Sequence, residues 1–349
     1  MTQSAHSTPR ASLGDGPLKV AVVGAGTWGE QHARLFARRP DTVLSAVVGR
    51  TPERTRGRAE AYGARPYTDL REMLDREHPD LVTVCLPNEA HFEPTLELIR
   101  AGAALLVEKP LVFELAEADT LLEEAAARNL FFGITFNHRY AEPVIRAQRA
   151  IAAGELGPLV FADWRFGGEP NFGTSPHANL IETQCHGLDM LELLCGPIVS
   201  VMGQMYDRTR PGTNTTVAVA LEFADGAVGT LLGTYDSSYA YPDAHRLEVN
   251  GQAGRVLIQD TVRRFTQSRA GDETSSVWQA GYFDDEARGF HSTFDRHADA
   301  FLAALRAGHE PPVHARAGRR ALELAHGIVR SATDGVRVDT APSTASGRP

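Results

Sequence analysis

"LKVAVVGAGTWGEQHARLF" (residues 18–36) changes character twice within a short span. A Val-rich apolar run ends in glycine, the pattern of a strand buried on both faces in a parallel sheet. From Thr27 the apolar positions recur at helical spacing until Pro40 stops them. Between the two lies Gly24-Ala25-Gly26-Thr27-Trp28-Gly29. A G-x-G-x-x-G is weak by itself in a chain with 32 glycines. Placed directly after a strand and at the opening of a helix, it is a dinucleotide fingerprint. The first glycine permits a tight turn, the second lets backbone approach a pyrophosphate, and the third lets helix pack closely on strand. The helix N-terminus then faces the phosphate charge. Gly24, Gly26, Thr27, Trp28 and Gly29 are therefore expected to bind a cofactor.

Working outward, strand and helix patterns alternate from about residue 18 to 137. "VLSAVVG", "LVTVCLP", "ALLVEKP" and "LFFGITFNHR" read as strands. "TPERTRGRAEAYGA", "DLREMLDREHPD", "HFEPTLELIRAG" and "ELAEADTLLEEAAARN" read as helices. Regular alternation predicts a doubly wound α/β domain with a parallel sheet. Beyond residue 155 the pattern becomes consecutive strands with "ADG" and "NGQAG" turns, which predicts a large open antiparallel sheet in an α+β domain. One helix, "NLIETQCHGLDMLELLCG", precedes most of those strands, and two more, "FDRHADAFLAALRAG" and "RAGRRALELAHGIVRSATDG", follow them. The expected division is a disordered tail at 1–16, a dinucleotide-binding domain at 17–137, a substrate and oligomerisation domain at 138–341, and a tail at 342–349. The C-terminal helices can pack back on the first domain.

At 349 residues the chain is too long for one ordinary core. Its 42% hydrophobic and 23% charged residues suit a globular protein, and the net charge of −9 argues against nucleic acid, which needs a basic face. No apolar run reaches membrane-spanning length, and the first residues lack the apolar stretch of a secretory signal. Three cysteines without C-x-x-C spacing suit a reducing cytoplasm.

The second strand should end in the residue that reads the ribose, about 20 positions past the last glycine of the motif. That place holds Gly49-Arg50, with no carboxylate to bond a 2′-hydroxyl. Arg50 can pair with a 2′-phosphate, which favours NADP(H) over NAD(H), or stack on adenine and leave both cofactors admissible. Farther on, "LLVEKPLVF" (105–113) ends an apolar strand in Glu108-Lys109-Pro110. Ligands of open α/β sheets bind at the carboxyl ends of strands, and proline restricts the residue before it. Lysine there can stabilise negative charge growing on a substrate oxygen. The plain alternative is a solvated charge pair at a strand exit.

"VAVVGAGTWG", "LPNEAHFEPTLELIRAG", "LLVEKPL", "IETQCHGLDMLELLCG" and the closing "HADAFLAALRAGHEPPVHARAGRRALELAHGIVRSA" together resemble the glucose–fructose oxidoreductase, inositol dehydrogenase and rhizopine-catabolism (Gfo/Idh/MocA) family. The likeness covers the chain apart from its tails. It implies an NAD(P)-dependent oxidoreductase that moves hydride between nicotinamide C4 and a carbinol or ketone carbon of a sugar, inositol or related compound. It also implies a homodimer or homotetramer assembled through the open sheet. By the resemblance, Glu108 and Lys109 lie beside the nicotinamide, and Asn88 contacts its ribose. His91 is either a neighbour of that loop or a helix-start residue. His186 corresponds to the general base, a role its ordinary pKa suits. Glu182, where such relatives commonly carry aspartate, either orients His186, binds a second hydroxyl, or does neither; its spacing of four puts it on one helical face with His186. Asp189 reads as capping or pairing within that helix. Asn137, Arg139, Trp164 and Arg165 fall where substrate-facing residues are expected, with ordinary loop and strand polarity as the alternative. No metal site is expected. A dinucleotide sensor without catalysis, or a glycoside-cleaving enzyme assisted by NAD, would share most of these motifs; a pure sensor has no need of Lys109 with His186.

Overall fold

A computed structural model describes residues 14, 16–168, 177–207, 211–281 and 289–342. The two expected tails lie almost wholly outside these residues. The chain divides into two compact units. One runs to Thr135 and takes in Asp295–Arg319, and the other comprises Phe136–Phe294 with the chain from Arg320.

The first unit holds six parallel strands: β1 (Leu18–Val23), β2 (Thr42–Val48), β3 (Arg65–Tyr67), β4 (Leu81–Val84), β5 (Leu105–Val107) and β6 (Phe132–Ile134). Their order is β3-β2-β1-β4-β5-β6, the doubly wound arrangement whose direction reverses between β1 and β4. The apolar runs seen in the sequence are the strands, and β1, β4, β5 and β6 are buried almost throughout. Helices α1 (Thr27–Ala37), α2 (Pro52–Ala61), α3 (Leu70–Glu77), α4 (Phe92–Arg100) and α5 (Leu115–Ala127) connect them. Local chemistry sets their starts: Pro52 occupies the first turn of α2, and the Asp69 carboxylate accepts the Glu72 N–H to cap α3. The late segment of this unit closes over β6. Phe301 packs edge-on against Phe131, the Val313 carbonyl accepts the Ile134 N–H, and the Phe132 carbonyl accepts the Ala315 N–H. Gly133 is required there, because a Cβ would stand 2.3 Å from the Phe301 ring.

The second unit is built on a nine-stranded sheet. It comprises β7 (Leu159–Gly167), β8 (Ile198–Tyr206), β9 (Thr216–Phe223), β10 (Val228–Thr234), β11 (His245–Gly251), β12 (Gly254–Gln259), β13 (Arg264–Arg269), β14 (Ser275–Gln279) and β15 (Val338–Asp339). The order is β14-β13-β12-β11-β7-β10-β9-β8-β15. The hairpins expected at "ADG" and "NGQAG" are β9–β10 and β11–β12. One pair departs from the antiparallel expectation: β7 runs parallel to β10, so the sheet is mixed. No tight turn joins those two strands. The intervening chain is long enough for the crossover that a parallel pair needs. Helices α6 (Glu142–Ala152) and α7 (Cys185–Cys195) belong to this unit, while α8 (Ser292–Arg306) and α9 (Arg316–Asp334) are shared along the chain by both units. Among the described residues no helix is long and apolar enough to cross a membrane. All three cysteines are buried free thiols.

Candidate functional site

In the first unit the carboxyl ends of β1, β2, β4 and β5 gather most of the residues singled out from the sequence. Gly24 adopts φ +125°, and a Cβ there would lie 2.2 Å from the Cys85 carbonyl at the exit of β4. The turn can pass under that strand end only with glycine. Gly29 is buried with no room for a Cβ, so α1 starts hard against the turn. Gly26 is the N-cap of α1. It offers no side-chain cap, and the space its Cβ would occupy is empty. First-turn N–H groups of Thr27, Trp28 and Gly29 thus lack a side-chain acceptor from the cap, and Gly26, Thr27 and Trp28 are exposed. An uncapped helix N-terminus approached through glycine is suited to a phosphate, so the residues present fit a dinucleotide pyrophosphate. Gly49 follows β2 under the Thr55 hydroxyl, and Arg50 after it is exposed. Asn88 opens a short 3₁₀ turn beyond β4 and is half-buried.

Glu108, expected beside a cofactor, turns its side chain into the protein. It is 4% exposed, with Oε1 at 2.8 Å from His32 Nε2 and Oε2 accepting the Lys109 N–H at 3.2 Å. A carboxylate surrounded by α1 and the sheet finds its donors inside, and here they anchor the strand exit. His32 in turn faces the Thr83 hydroxyl through Nδ1 at 2.8 Å. Burial disfavours an imidazolium at this place, but the Cys85 sulfur and the Glu108 carboxylate beside it prevail and raise the His32 pKa to about 10. Lys109 is half-buried, and the Lys109–Pro110 peptide bond is cis. His91 proves to be the residue immediately before α4, fully buried, with Nδ1 2.8 Å from the Pro110 carbonyl and Nε2 3.0 Å from the Leu86 carbonyl. Burial holds its pKa below the ordinary value, against the pull of those carbonyls.

The second unit contains the other residues. The single helix expected from Asn179 is broken: Asn179–Thr183 forms a π turn, and α7 begins at Cys185. Glu182 and His186 therefore lie in different elements, and a spacing of four no longer places them on one α-helical face. Both are buried. The break is held by Gln184, fully buried, whose amide accepts from Trp164 Nε1 at 3.0 Å and donates to Asn179 Oδ1 at 3.1 Å. Asn179 reaches the Thr215 carbonyl, and Thr183 meets the Tyr235 hydroxyl at 2.6 Å. Side-chain bonds to the sheet thus take the place of regular helical ones. The His186 ring stacks on His138 with centroids 4.0 Å apart and planes 7° from parallel, while Phe136 approaches its edge. Phe166 and Phe290 also approach the His138 ring, with centroids 6.0 and 5.6 Å away.

The four residues expected to face substrate each have partners within the protein. Arg139 donates to both oxygens of Asp189 at 2.8 and 2.5 Å, so Asp189 pairs across to the 3₁₀ turn at 137–140 rather than within its own helix. Burial pushes the Asp189 carboxyl up, and the guanidinium against it opposes that rise. Asn137 is buried and donates to the Thr293 hydroxyl. Trp164 is core, packed flat against Gly187, where a Cβ would meet its ring at 2.3 Å. Arg165, next along the strand, points to the opposite sheet face and donates to the Asp243 carbonyl. His32, His138 and Gln184 are not among the residues the sequence marks, although Gln184 lies within "IETQCHGLDMLELLCG". His32 interrupts an otherwise apolar stripe on α1, which is the one mark that could have drawn attention to it. Among the described residues no group of three His, Cys, Asp or Glu side chains is arranged to hold a metal.

Comparison with known proteins agrees with these features. The family model described as "Oxidoreductase family, NAD-binding Rossmann fold" matches residues 18–136, and its partner, "Oxidoreductase family, C-terminal alpha/beta domain", matches residues 149–340. Myo-inositol 2-dehydrogenase of Thermotoga maritima is 25% identical over 332 residues, covering 90% of this chain and 96% of that protein. D-glucoside 3-dehydrogenase of Escherichia coli is 31% identical over 152 residues, 43% of each chain. Among solved structures, levoglucosan dehydrogenase in complex with NADH and levoglucosan superposes with a TM-score of 0.84 at 20% identity, covering 93% of this chain and all of that one, a likeness of fold. This chain belongs to the Gfo/Idh/MocA oxidoreductase family and carries both its NAD-binding Rossmann fold and its C-terminal alpha/beta domain.

Proposed function

We propose that this protein is a dehydrogenase or reductase that moves hydride between nicotinamide C4 and a carbinol or ketone carbon of a sugar, inositol or sugar-derived substrate. The observation that carries the reading is the uncapped, glycine-lined N-terminus of α1, which follows β1 of the same sheet whose strand β5 leads into Glu108-Lys109. A bound nicotinamide dinucleotide supplies the hydride acceptor or donor. Gly24, Gly26, Thr27, Trp28 and Gly29 hold its pyrophosphate, Gly49 and Arg50 its adenosine ribose, and Asn88 and Lys109 its nicotinamide end. The exposed Arg50, with Arg54 one turn into α2 and no carboxylate at the end of β2, supports a preference for NADP(H) over NAD(H).

Lys109 donates to the reacting oxygen and stabilises the charge that grows there. His186 takes the hydroxyl proton during oxidation and returns it during reduction. Its ring plane is fixed by His138 and Phe136, and it follows directly on a π turn, a feature that often marks functional sites. Glu182, buried in that turn, is assigned to substrate hydroxyls rather than to His186. The second unit provides substrate binding and assembly. On one face of its sheet Phe161 and Val228 stand side by side, as do Arg165 and Leu232, with Met202 on the same face. Phe161, Val228, Leu232 and Met202 are 38–56% exposed, and an apolar face of this kind supports a homodimer or homotetramer. Buried free thiols support a reducing, cytoplasmic setting.

The test is a panel of polyols, inositols and sugars with each cofactor, followed at the reduced-nicotinamide absorbance. Substrate-dependent reduction, faster with NADP than NAD, is expected. Tight cofactor binding with no turnover on any compound would leave a sensor, and product formation without net cofactor reduction would leave a glycoside-cleaving enzyme.

A further inference from the structure

The three-residue element at the end of β5 is held from both sides by buried histidines, His32 of α1 and His91 at the start of α4. On one side, His32 Nε2 lies 2.8 Å from Glu108 Oε1, and the other Glu108 oxygen accepts the backbone N–H of Lys109. His32 is itself oriented by the Thr83 hydroxyl at 2.8 Å, so its ring cannot turn away without losing a bond. On the other side, His91 Nδ1 lies 2.8 Å from the Pro110 carbonyl, while its Nε2 faces the Leu86 carbonyl at 3.0 Å, two residues before Asn88. Both rings are 0–1% exposed, and the carboxylate between them is 4% exposed. The residues before and after Lys109 are thereby tied to α1, β4 and the start of α4.

A lysine ammonium rides on a flexible four-carbon stem, so where it can reach is set first by where the main chain places its Cα. A displacement of about 1 Å at a reacting group can cost on the order of 10²-fold in rate. A buried polar network is the kind of rigid support that gives such placement. We propose that His32, through Glu108, and His91, through the Pro110 carbonyl, are positioning residues that fix where Lys109 presents its ammonium. The inference rests on the reading of Lys109 as the group that polarises the substrate oxygen.

A double-mutant cycle separates positioning from mere support of the sheet. Turnover number, KM and dinucleotide Kd are measured for the full chain as wild type, His32→Leu, His32→Gln, Lys109→Ala and the His32→Leu/Lys109→Ala double variant, on the substrate found in the panel and at a temperature where circular dichroism shows all of them folded. His32→Leu should lower kcat by about tenfold or more with dinucleotide Kd changed less than about threefold. His32→Gln, whose amide can still donate to Glu108, should recover most of that loss. In the Lys109→Ala background the same His32→Leu change should cost less than about twofold, because the group it positions is gone. An equal loss in both backgrounds, or a His32→Leu enzyme with wild-type kcat, overturns the proposal. Near-normal turnover in Lys109→Ala overturns the lysine reading itself, whatever His32 does. Should His32→Leu fail to fold, Thr83→Val enters the same cycle. It unhooks His32 Nδ1 while keeping volume, and a few-fold fall in kcat that vanishes without Lys109 is expected.

Discussion

Substituting Gly29 by alanine tests the dinucleotide site at its tightest point. An ideal Cβ at Gly29 would lie 1.8 Å from the Gly24 carbonyl oxygen and 2.7 Å from its carbon. Carbon and oxygen ordinarily approach to about 3.3 Å, so about 1.5 Å of separation must be found. Both offending atoms are main chain, and no side chain can swing aside. Either the N-terminus of α1 retreats from the turn or the Gly24 carbonyl rotates, and each moves the N–H groups proposed to hold the pyrophosphate. Overpacking of this kind costs about 1–3 kcal/mol. At about 2–4 °C per kcal/mol for a domain of this size, Tm should fall by roughly 2–12 °C. Dinucleotide Kd, followed by quenching or transfer of fluorescence, should rise by about tenfold or more, since 1.4 kcal/mol of lost contact suffices. Gly57→Ala in α2 is the control. Gly57 is an exposed interior helical position with nothing within 4 Å of a Cβ, so the same change there should leave Kd alone and stabilise by up to about 1 kcal/mol. A Gly29→Ala protein with wild-type Tm and wild-type dinucleotide affinity would refute the reasoning.

Three further outcomes are expected. Asp189→Ala leaves the Arg139 guanidinium without its buried partner; about 3–5 kcal/mol of stability should be lost in urea unfolding, reduced to the extent that the 22% exposed Arg139 side chain reaches water, and a loss below about 1 kcal/mol would show the pair to be dispensable. His186→Asn should remove the general-base limb from the pH–rate profile of oxidation, and an unchanged profile would exclude His186 from proton transfer. His32 binds its proton more tightly in the folded chain, at about 10 against an ordinary 6.5, so its contribution to stability is complete below about pH 6.5 and is lost as pH climbs towards 10. The stability of wild type over His32→Gln should therefore shrink across that window in urea titrations, and parallel curves for the two proteins would show that no such proton is held.

Much of the architecture was legible because its signals are local. A buried parallel strand must be apolar along its whole length, and a helix must repeat its apolar face, so β1, β2, β4, β5 and α1 through α5 could be read from patterning and punctuation. Elements escaped where that signal is short or diluted. β3 is three residues containing Pro66, β14 is a polar edge strand, and β15 is two residues. α6 carries its buried stripe at Val144, Ala147 and Ala150, but these small residues between two domain patterns give only a diluted signal. The parallel pairing of β7 with β10 had no local signature, since the direction of a strand joined by a long connection is decided by its neighbours in space.

The sequence by itself determined the family, the two-part α/β and α+β plan, and the glycine-lined helix start, because each depends on residues within one turn or one strand of one another. Only the tertiary structure decided what the chemically marked side chains face. Glu108 turned inward to His32, Arg139 was taken by Asp189, Trp164 and Arg165 parted to opposite faces of a strand, and one expected helix broke at Gln184. A buried polar group must find its partner wherever the fold brings one, and partners separated by 50 or 76 positions leave no trace in local spacing.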